Sequence, residues 1–372
     1  MADWPQWRGP KRDGISTETV EAWSGGGPRQ VWKARTGEGF SSVAVVAGKV
    51  YTMGHFQGQD YILCYDANNG KLLWQHKYPC SAGDYTGPRS TPLIHQGNLY
   101  TMSREGQVFC LSAASGKVVW ERKVAQEVGA PIPQWGFSAS PLIQGNVVIL
   151  NIGTSGTALD KASGRIVWKS GGGPTGYASP VAYSAGGLSG VAIFAGKGLV
   201  AVNPTNGSKQ WEYPWDTSYD VNAADPIFAG DTVFISSNYG KGGALIRLAG
   251  GKPTELWRTR EMKNHFNACV LIDKHLYGND EGRLRCISLS DGREKWQMRG
   301  MDKGGLIAAG DKLIALTGEG ELVLISASPA TFKELGRAKV LEGTCWTQPV
   351  LANGMLYCRS HQGDLVCLEM KK

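Results

Sequence analysis

A nine-residue phrase recurs along the chain and constrains the fold more than any other feature. Its clearest copy is Asp66-Ala67-Asn68-Asn69-Gly70-Lys71-Leu72-Leu73-Trp74. Further copies end at Trp120, Trp168, Trp211 and Trp296, looser ones at Trp257 and Leu335, and an orphan of the last element is Gln30-Val31-Trp32. Successive end positions are 42, 46, 48, 43, 46, 39 and 39 residues apart. Eight members at a near-constant period override the length prior of two or three separate domains.

Each period reads as four strands. A Ser-Pro-like start comes first, as in Thr91-Pro92, Ser140-Pro141, Ser179-Pro180, Asp225-Pro226 and Gln348-Pro349. A Gly or Asp hairpin and a glycine-bearing loop follow, and an Asn-Gly or Ser-Gly turn leads into the Trp strand. Four short strands per period predict an all-β, eight-bladed β-propeller with four antiparallel strands per blade. Seven blades fill 40–340. The last has only three strands of its own, over 345–369, and the strand at 29–36 supplies the fourth, removing the open edge. Residues 29–372 therefore form one propeller, and 1–28 an extension. Trp4, Trp7 and Trp23 of that extension are expected to pack on the ring; an exposed partner-binding arm is the alternative. The repeat tryptophans are expected to pack between blades, not to stack on ligands.

Composition excludes other classes. Glycine is 51 of 372 residues and only 19% are charged, which suits many strands and tight turns. A 42% hydrophobic content rules out a disordered chain. No apolar run is long enough to span a bilayer. The net charge of +7 is spread along the chain, without the basic block of a nucleic-acid binder. The start lacks a basic n-region and an apolar h-region, so the expectation is a cytoplasmic protein or the trimmed form of an exported one. Cys64, Cys110, Cys286 and Cys367 occupy one equivalent position in four blades, too far apart to bridge. Cys80 and Cys345 fall in loops and are the better candidates for reactive thiols.

The phrase Ala-x-x-x-Gly-x-x-x-Trp, at Ala67–Trp74 and Ala113–Trp120, is the tryptophan-docking motif of the pyrroloquinoline-quinone (PQQ) repeat family, which this chain resembles over 29–369. WD40 repeats need Gly-His and Trp-Asp in every blade; here Gly54-His55 and Trp215-Asp216 occur once each. The opening Asp3 to Pro10, with Asp13-Gly14, is similar to the mature start of bacterial exported propellers of this group. Many of those are described by similarity to the lipoprotein of the outer-membrane β-barrel assembly machinery. The resemblance implies a periplasmic or otherwise exported protein. It leaves function open, since the family spans scaffolds and dehydrogenases. PQQ with calcium is the cofactor it would imply. Two departures weigh against that and against a lipid anchor: no adjacent Cys-Cys pair occurs, and the first cysteine is Cys64, inside a strand.

In a propeller, the loops entering the first strands and those between strands two and three share one face. The first set carries Arg89, Trp135, Tyr177, Asn222, His265, Asn267, Lys303 and Trp346; the second carries Asn238, Lys241 and Arg359. Basic residues among aromatic walls would suit a small anionic or sugar-like ligand. The competing reading is that they plug a solvated channel and cap loop carbonyls. His265, beside Asn264 and Asn267, is the candidate acid–base residue. No metal site is expected; Asn222 with Asp225 comes nearest, but the Asp225-Pro226 context fits the repeat. Short loops and missing catalytic templates favour an exported, non-catalytic propeller that binds a ligand or protein at the channel mouth, with a monomer expected. The alternative is an enzyme: first a PQQ-dependent alcohol or sugar dehydrogenase, then a cofactor-free hydrolase or lyase on an anionic or sugar substrate.

Overall fold

The structure is a computed structural model and describes residues 2–23 and 25–370. It is an eight-bladed propeller of antiparallel sheets. The innermost strands, in blade order, are Ala44–Val46, Leu93–His95, Leu142–Gln144, Val181–Ala185, Ile227–Ala229, Val270–Ile272, Gly305–Ala309 and Val350–Ala352. In the eighth blade Arg29–Arg35 pairs antiparallel with Asp364–Glu369, closing the ring with an N-terminal strand. The seventh sheet gains a fifth strand, Ile15–Ser16, parallel to the inner edge of Gly305–Ala309, which the repeat did not foretell.

Burial follows position in the blade. Second and third strands, such as Asn98–Met102 and Gln107–Ser112, are buried on both faces because neighbouring blades cover them. Their sequences are accordingly near-continuous apolar runs. Outer strands such as Val118–Lys123 keep one face to solvent and alternate.

The repeated phrase has one physical basis, reused around the rim. Gly70, Gly116, Gly164, Gly207 and Gly292 all have φ near +70°, the left-handed conformation the turn requires. A Cβ on Gly116 would lie 2.5 Å from the Trp74 ring, and one on Gly164 would lie 2.7 Å from Trp120. The indole of one blade thus occupies the space left empty by the next blade's glycine. Its N–H donates to a carbonyl of the same turn: Trp32 to Ala67, Trp74 to Ala113, Trp120 to Lys161 and Trp168 to Pro204, at 2.8–3.1 Å. Burying one indole stabilises by about 4–6 kcal/mol, from roughly 150–250 Å² of apolar surface. The seventh blade ends on Leu335, not Trp. There the extension's Trp23 lies over Gly336, with a virtual Cβ 2.7 Å from the indole nitrogen.

A second chain of contacts runs around the hub and explains the Ser-Pro-like strand starts. Ser42 N–H donates to Thr91 Oγ1, Thr91 N–H to Ser140 Oγ, Ser140 N–H to Ser179 Oγ, and Ser179 N–H to Asp225 Oδ1. Each side chain satisfies the backbone donor of the preceding blade. These inner amides would otherwise be buried without partners. Beyond Asp225 the chain stops, because the sixth blade has Ala268 at the equivalent place.

The cysteines are free and buried. Cys80 and Cys345, expected as reactive loop thiols, are corrected here. Both are buried, and burial raises both thiols, Cys345 to about 12, so neither supplies a thiolate at neutral pH.

Candidate functional site

The extension builds the floor of the hub. Trp4 pairs with Val45 of the first blade, and the Pro5 carbonyl accepts from Ile94 of the second. Arg12 donates to Ser140 and Pro141 of the third blade, and Trp7 Nε1 donates to Asp225 Oδ2 of the fifth at 2.7 Å. Arg8 donates to Ala268 and Cys269 of the sixth, where the hydroxyl chain fails. The Gly14 carbonyl accepts from Ala308 of the seventh, and Gly354 N–H of the eighth donates to Glu18. One segment of fewer than twenty residues thus ties seven blades together across the channel. Glycines Gly9 and Gly14, with φ of +82° and +77°, let it turn inside the ring.

Above this floor lies a cavity of about 190 Å³. Trp7 and Asp225 line its base. Asp225 is buried. Burial raises its carboxyl, while the Arg8 and Arg12 guanidinium groups and the Ser179 and Trp7 N–H groups oppose that rise. Both Asp225 oxygens therefore already accept hydrogen bonds, and no calcium pair with Asn222 forms. Asn222 points elsewhere: its Nδ2 donates to Ala195, Gly196 and Trp215 carbonyls, and its Oδ1 accepts from Thr217 and Ser237.

The wall is an aromatic collar. Rings follow one another at centroid distances of 3.9–6.0 Å: Tyr177, Trp135, Tyr219, Tyr239, His265, Phe266, Trp346 and Phe40. Tyr85 joins at Trp346. Arg89 fills the gap between Phe40 and Trp135, its guanidinium carbon 5.6 Å from the Phe40 ring centroid. Three of its donors hold the carbonyls of Asp84, Tyr85 and Gly87, which fixes the guanidinium in place and caps that loop. Burial, with Arg104 nearby, lowers its pKa to about 10, so it stays charged at neutral pH. Lys303 Nζ lies 4.5 Å from the Trp346 ring centroid and 5.5 Å from that of Phe266. Among the described residues, neither Arg89 nor Lys303 has a carboxylate within ion-pair distance, whereas Arg285 and Arg337 each have at least two.

His265 is neutral at physiological pH. Burial among the rings, then the charge of Lys303, lowers its pKa to about 4, and its Nδ1 has no hydrogen-bond partner among the described residues.

Of the sequence candidates, Arg89, Trp135, Tyr177, His265, Asn267, Lys303 and Trp346 meet around this cavity. Asn238 lies beside it, in a neighbouring cavity. Three do not reach it. Asn222 is occupied as described. Lys241 sits 4.8 Å from the centroid of the Trp215 ring, outside the cup. Arg359 is fully buried, donating to the carbonyls of Gly37, Ser41 and Met53 and to Thr52 Oγ1. It ends a second strand with its side chain turned between blades, where the eighth blade must satisfy carbonyls of the first. Sequence reasoning passed over Tyr85, Tyr219 and Tyr239. Each has φ between +55° and +59°, a conformation uncommon for a bulky residue, and they are 54%, 61% and 42% exposed. Their place in turn dipeptides, Asp84-Tyr85, Tyr219-Asp220 and Tyr239-Gly240, was the available signal.

Comparisons with known proteins fit this architecture. The family model described as outer membrane protein assembly factor BamB matches residues 58–298. Tetrathionate hydrolase of Acidithiobacillus ferrooxidans is 23% identical over 232 residues, spanning 57% of this chain and 44% of that protein. BamB from Moraxella catarrhalis superposes with a TM-score of 0.71 at 17% identity, over 92% of this chain and all of that one. A europium-containing methanol dehydrogenase gives 0.74 at 14% identity, over 96% and 90%. Such low identities carry the fold alone, and these relatives include both an assembly factor and enzymes. With well over half its length matched, the chain belongs to the PQQ-repeat β-propeller family that is described as outer membrane protein assembly factor BamB.

Proposed function

We propose that this protein is an exported binding propeller that holds a small, flat anion in the cup at its channel mouth, without catalysing a reaction on it. One observation carries this reading: among the described residues Arg89 and Lys303, the cations in the cup wall, have no carboxylate within ion-pair distance, and aromatic rings line much of the rest. An unpaired, partly desolvated cation favours an incoming carboxylate or sulfonate, and the rings supply stacking faces. The plugged floor makes the cup blind, so a ligand enters and leaves by the same mouth.

PQQ itself is a flat polycarboxylate, and the rings with Arg89 and Lys303 fit its shape and charge. The lining gives no support for the calcium-dependent part. Among the described residues no three His, Cys, Asp or Glu side chains could hold a metal ion together. The one carboxylate in the base of the cup, Asp225, is already engaged. We therefore assign no dehydrogenase step.

The test is quenching of tryptophan fluorescence by 1-naphthoate and by PQQ, with Trp7, Trp135 and Trp346 as reporters. Saturable quenching is expected, weakened about tenfold or more in Arg89→Gln and in Lys303→Gln, as loss of a charge-assisted contact implies. Linear, unsaturable quenching by both compounds would sink the reading.

A protein partner at the same face is the second reading, favoured by the three exposed collar tyrosines. It predicts that Tyr219→Ser with Tyr239→Ser abolishes co-purification of one defined partner.

A further inference from the structure

Beside the cup lies a second cavity of about 230 Å³, between the fifth, sixth and seventh blades. His265, Phe266, Asn267 and Lys303 line both, so one ligand can occupy the two together. Their chemistry differs. The cup is mostly aromatic. The side cavity is rimmed by Asn238, Asn279, Glu281 and Asp302.

The donors of two of its three amides are already committed. Asn279 Nδ2 holds the carbonyls of Asp302 and Gly304, and Asn267 Nδ2 holds that of Trp346 at 3.1 Å. Besides the Asn238 amide N–H and the Lys303 ammonium, what remains is a set of acceptors. Asn238 Oδ1 is buried without a partner, as is His265 Nδ1, which can accept in one tautomer of the neutral ring. The carboxylates of Glu281 and Asp302 add more. Glu281 pairs with Lys263 at 2.5 Å, and Asp302 accepts from Trp346 Nε1 at 3.0 Å. With Lys303, the local charges of these four groups cancel. A cavity with spare acceptors and no net charge favours neutral donors, hence hydroxyl groups over an ammonium.

Blade order fixes the orientation. Arg89 enters the second blade and the side cavity opens around the sixth, on opposite sides of an eight-membered ring. We infer that the side cavity is a polyol subsite. The ligand class is then a flat aromatic acid carrying a sugar at the end remote from its acidic group. This inference rests on the flat-anion reading of the cup.

Three probes separate the two. 4-Methoxybenzoate carries the ring and anion, methyl β-D-glucopyranoside the polyol, and 4-carboxyphenyl β-D-glucopyranoside both. Calorimetry should find the last binding at least tenfold tighter than 4-methoxybenzoate. Asn238→Leu, and independently Glu281→Gln at the exposed lip, should cut that advantage to under threefold and leave 4-methoxybenzoate unchanged. Two variants guard against one failing to fold. Equal affinity of the glucoside and 4-methoxybenzoate would overturn the polyol subsite and leave the flat-anion cup standing. Methyl glucoside binding that Asn238→Leu removes, with no binding of 4-methoxybenzoate, would keep the subsite and sink the cup reading. No binding of any probe would overturn both.

Discussion

The rim and the hub of this ring are held by opposite strategies. At the rim the same indole and glycine recur at five joints, so these joints resemble one another and each can be weakened separately. At the hub the joints differ. Five blades share a hydroxyl chain from Ser42 to Asp225, and then a single arginine, Arg8, takes over at the sixth. The contrast teaches where a repeat protein can carry a site. Repeated joints set few blades apart, and the irregular hub makes the asymmetric cup.

The sharpest way to break the comparison is Arg8→Met. Arg8 is buried, donates to four carbonyls and helps offset the buried Asp225 charge. Breaking one partner of such a buried network costs about 3–5 kcal/mol. Denaturant unfolding should show a loss of that size; a loss below about 1 kcal/mol would mean the hub is as redundant as the rim.

A rim joint should cost less. Gly116→Ala must fit a Cβ 2.5 Å from the Trp74 ring at φ +71°, and about 1–3 kcal/mol is expected. Gly97→Ala, at φ +79° with nothing within 4 Å, isolates the conformational part, about 1 kcal/mol. Equal effects in the two variants would remove the indole contact as the reason for glycine.

Ser140→Ala tests the hydroxyl chain. It removes the acceptor for Thr91 N–H and should cost about 1 kcal/mol, as one neutral hydrogen bond does. A much larger loss would show that the chain acts cooperatively.

A last test concerns pH. The folded pKa of His265 is lowered to about 4, below its ordinary 6.5. Below pH 6.5 the unfolded chain binds a proton that the folded one refuses, so stability falls as pH drops from about 6.5 towards 4. His76, His95 and His361 are lowered too, so the informative quantity is a difference. His265→Gln should lose less stability than the parent across that window. Parallel curves would place His265 in an environment no drier than that of the unfolded chain.

The rim was fully legible because its period is local: Asn69-Gly70 makes its turn, and Trp74 waits for the next copy. The seven site candidates that meet at the cup were readable for a related reason. They precede inner strands, and a propeller brings those loops to one mouth. Asn222 satisfied the same positional rule, and Arg359 the companion rule for loops between second and third strands, and both still turned away. Backbone carbonyls of Ser41, Met53, Ala195 and Trp215 claimed their donors, and no local pattern announces such a demand.

The sequence by itself determined the blade count, the strand that closes the ring and the loops that share a face, since each follows from spacing and turn chemistry. Only the tertiary structure decided that residues 4–18 seal the channel, that Arg8 caps the Ala268 and Cys269 carbonyls where the hydroxyl chain ends, and that Arg89 and Lys303 have no carboxylate within ion-pair distance among the described residues. Those are contacts between residues hundreds of positions apart. Their energy depends on burial and on which partner arrives first, and neither is written in any one segment.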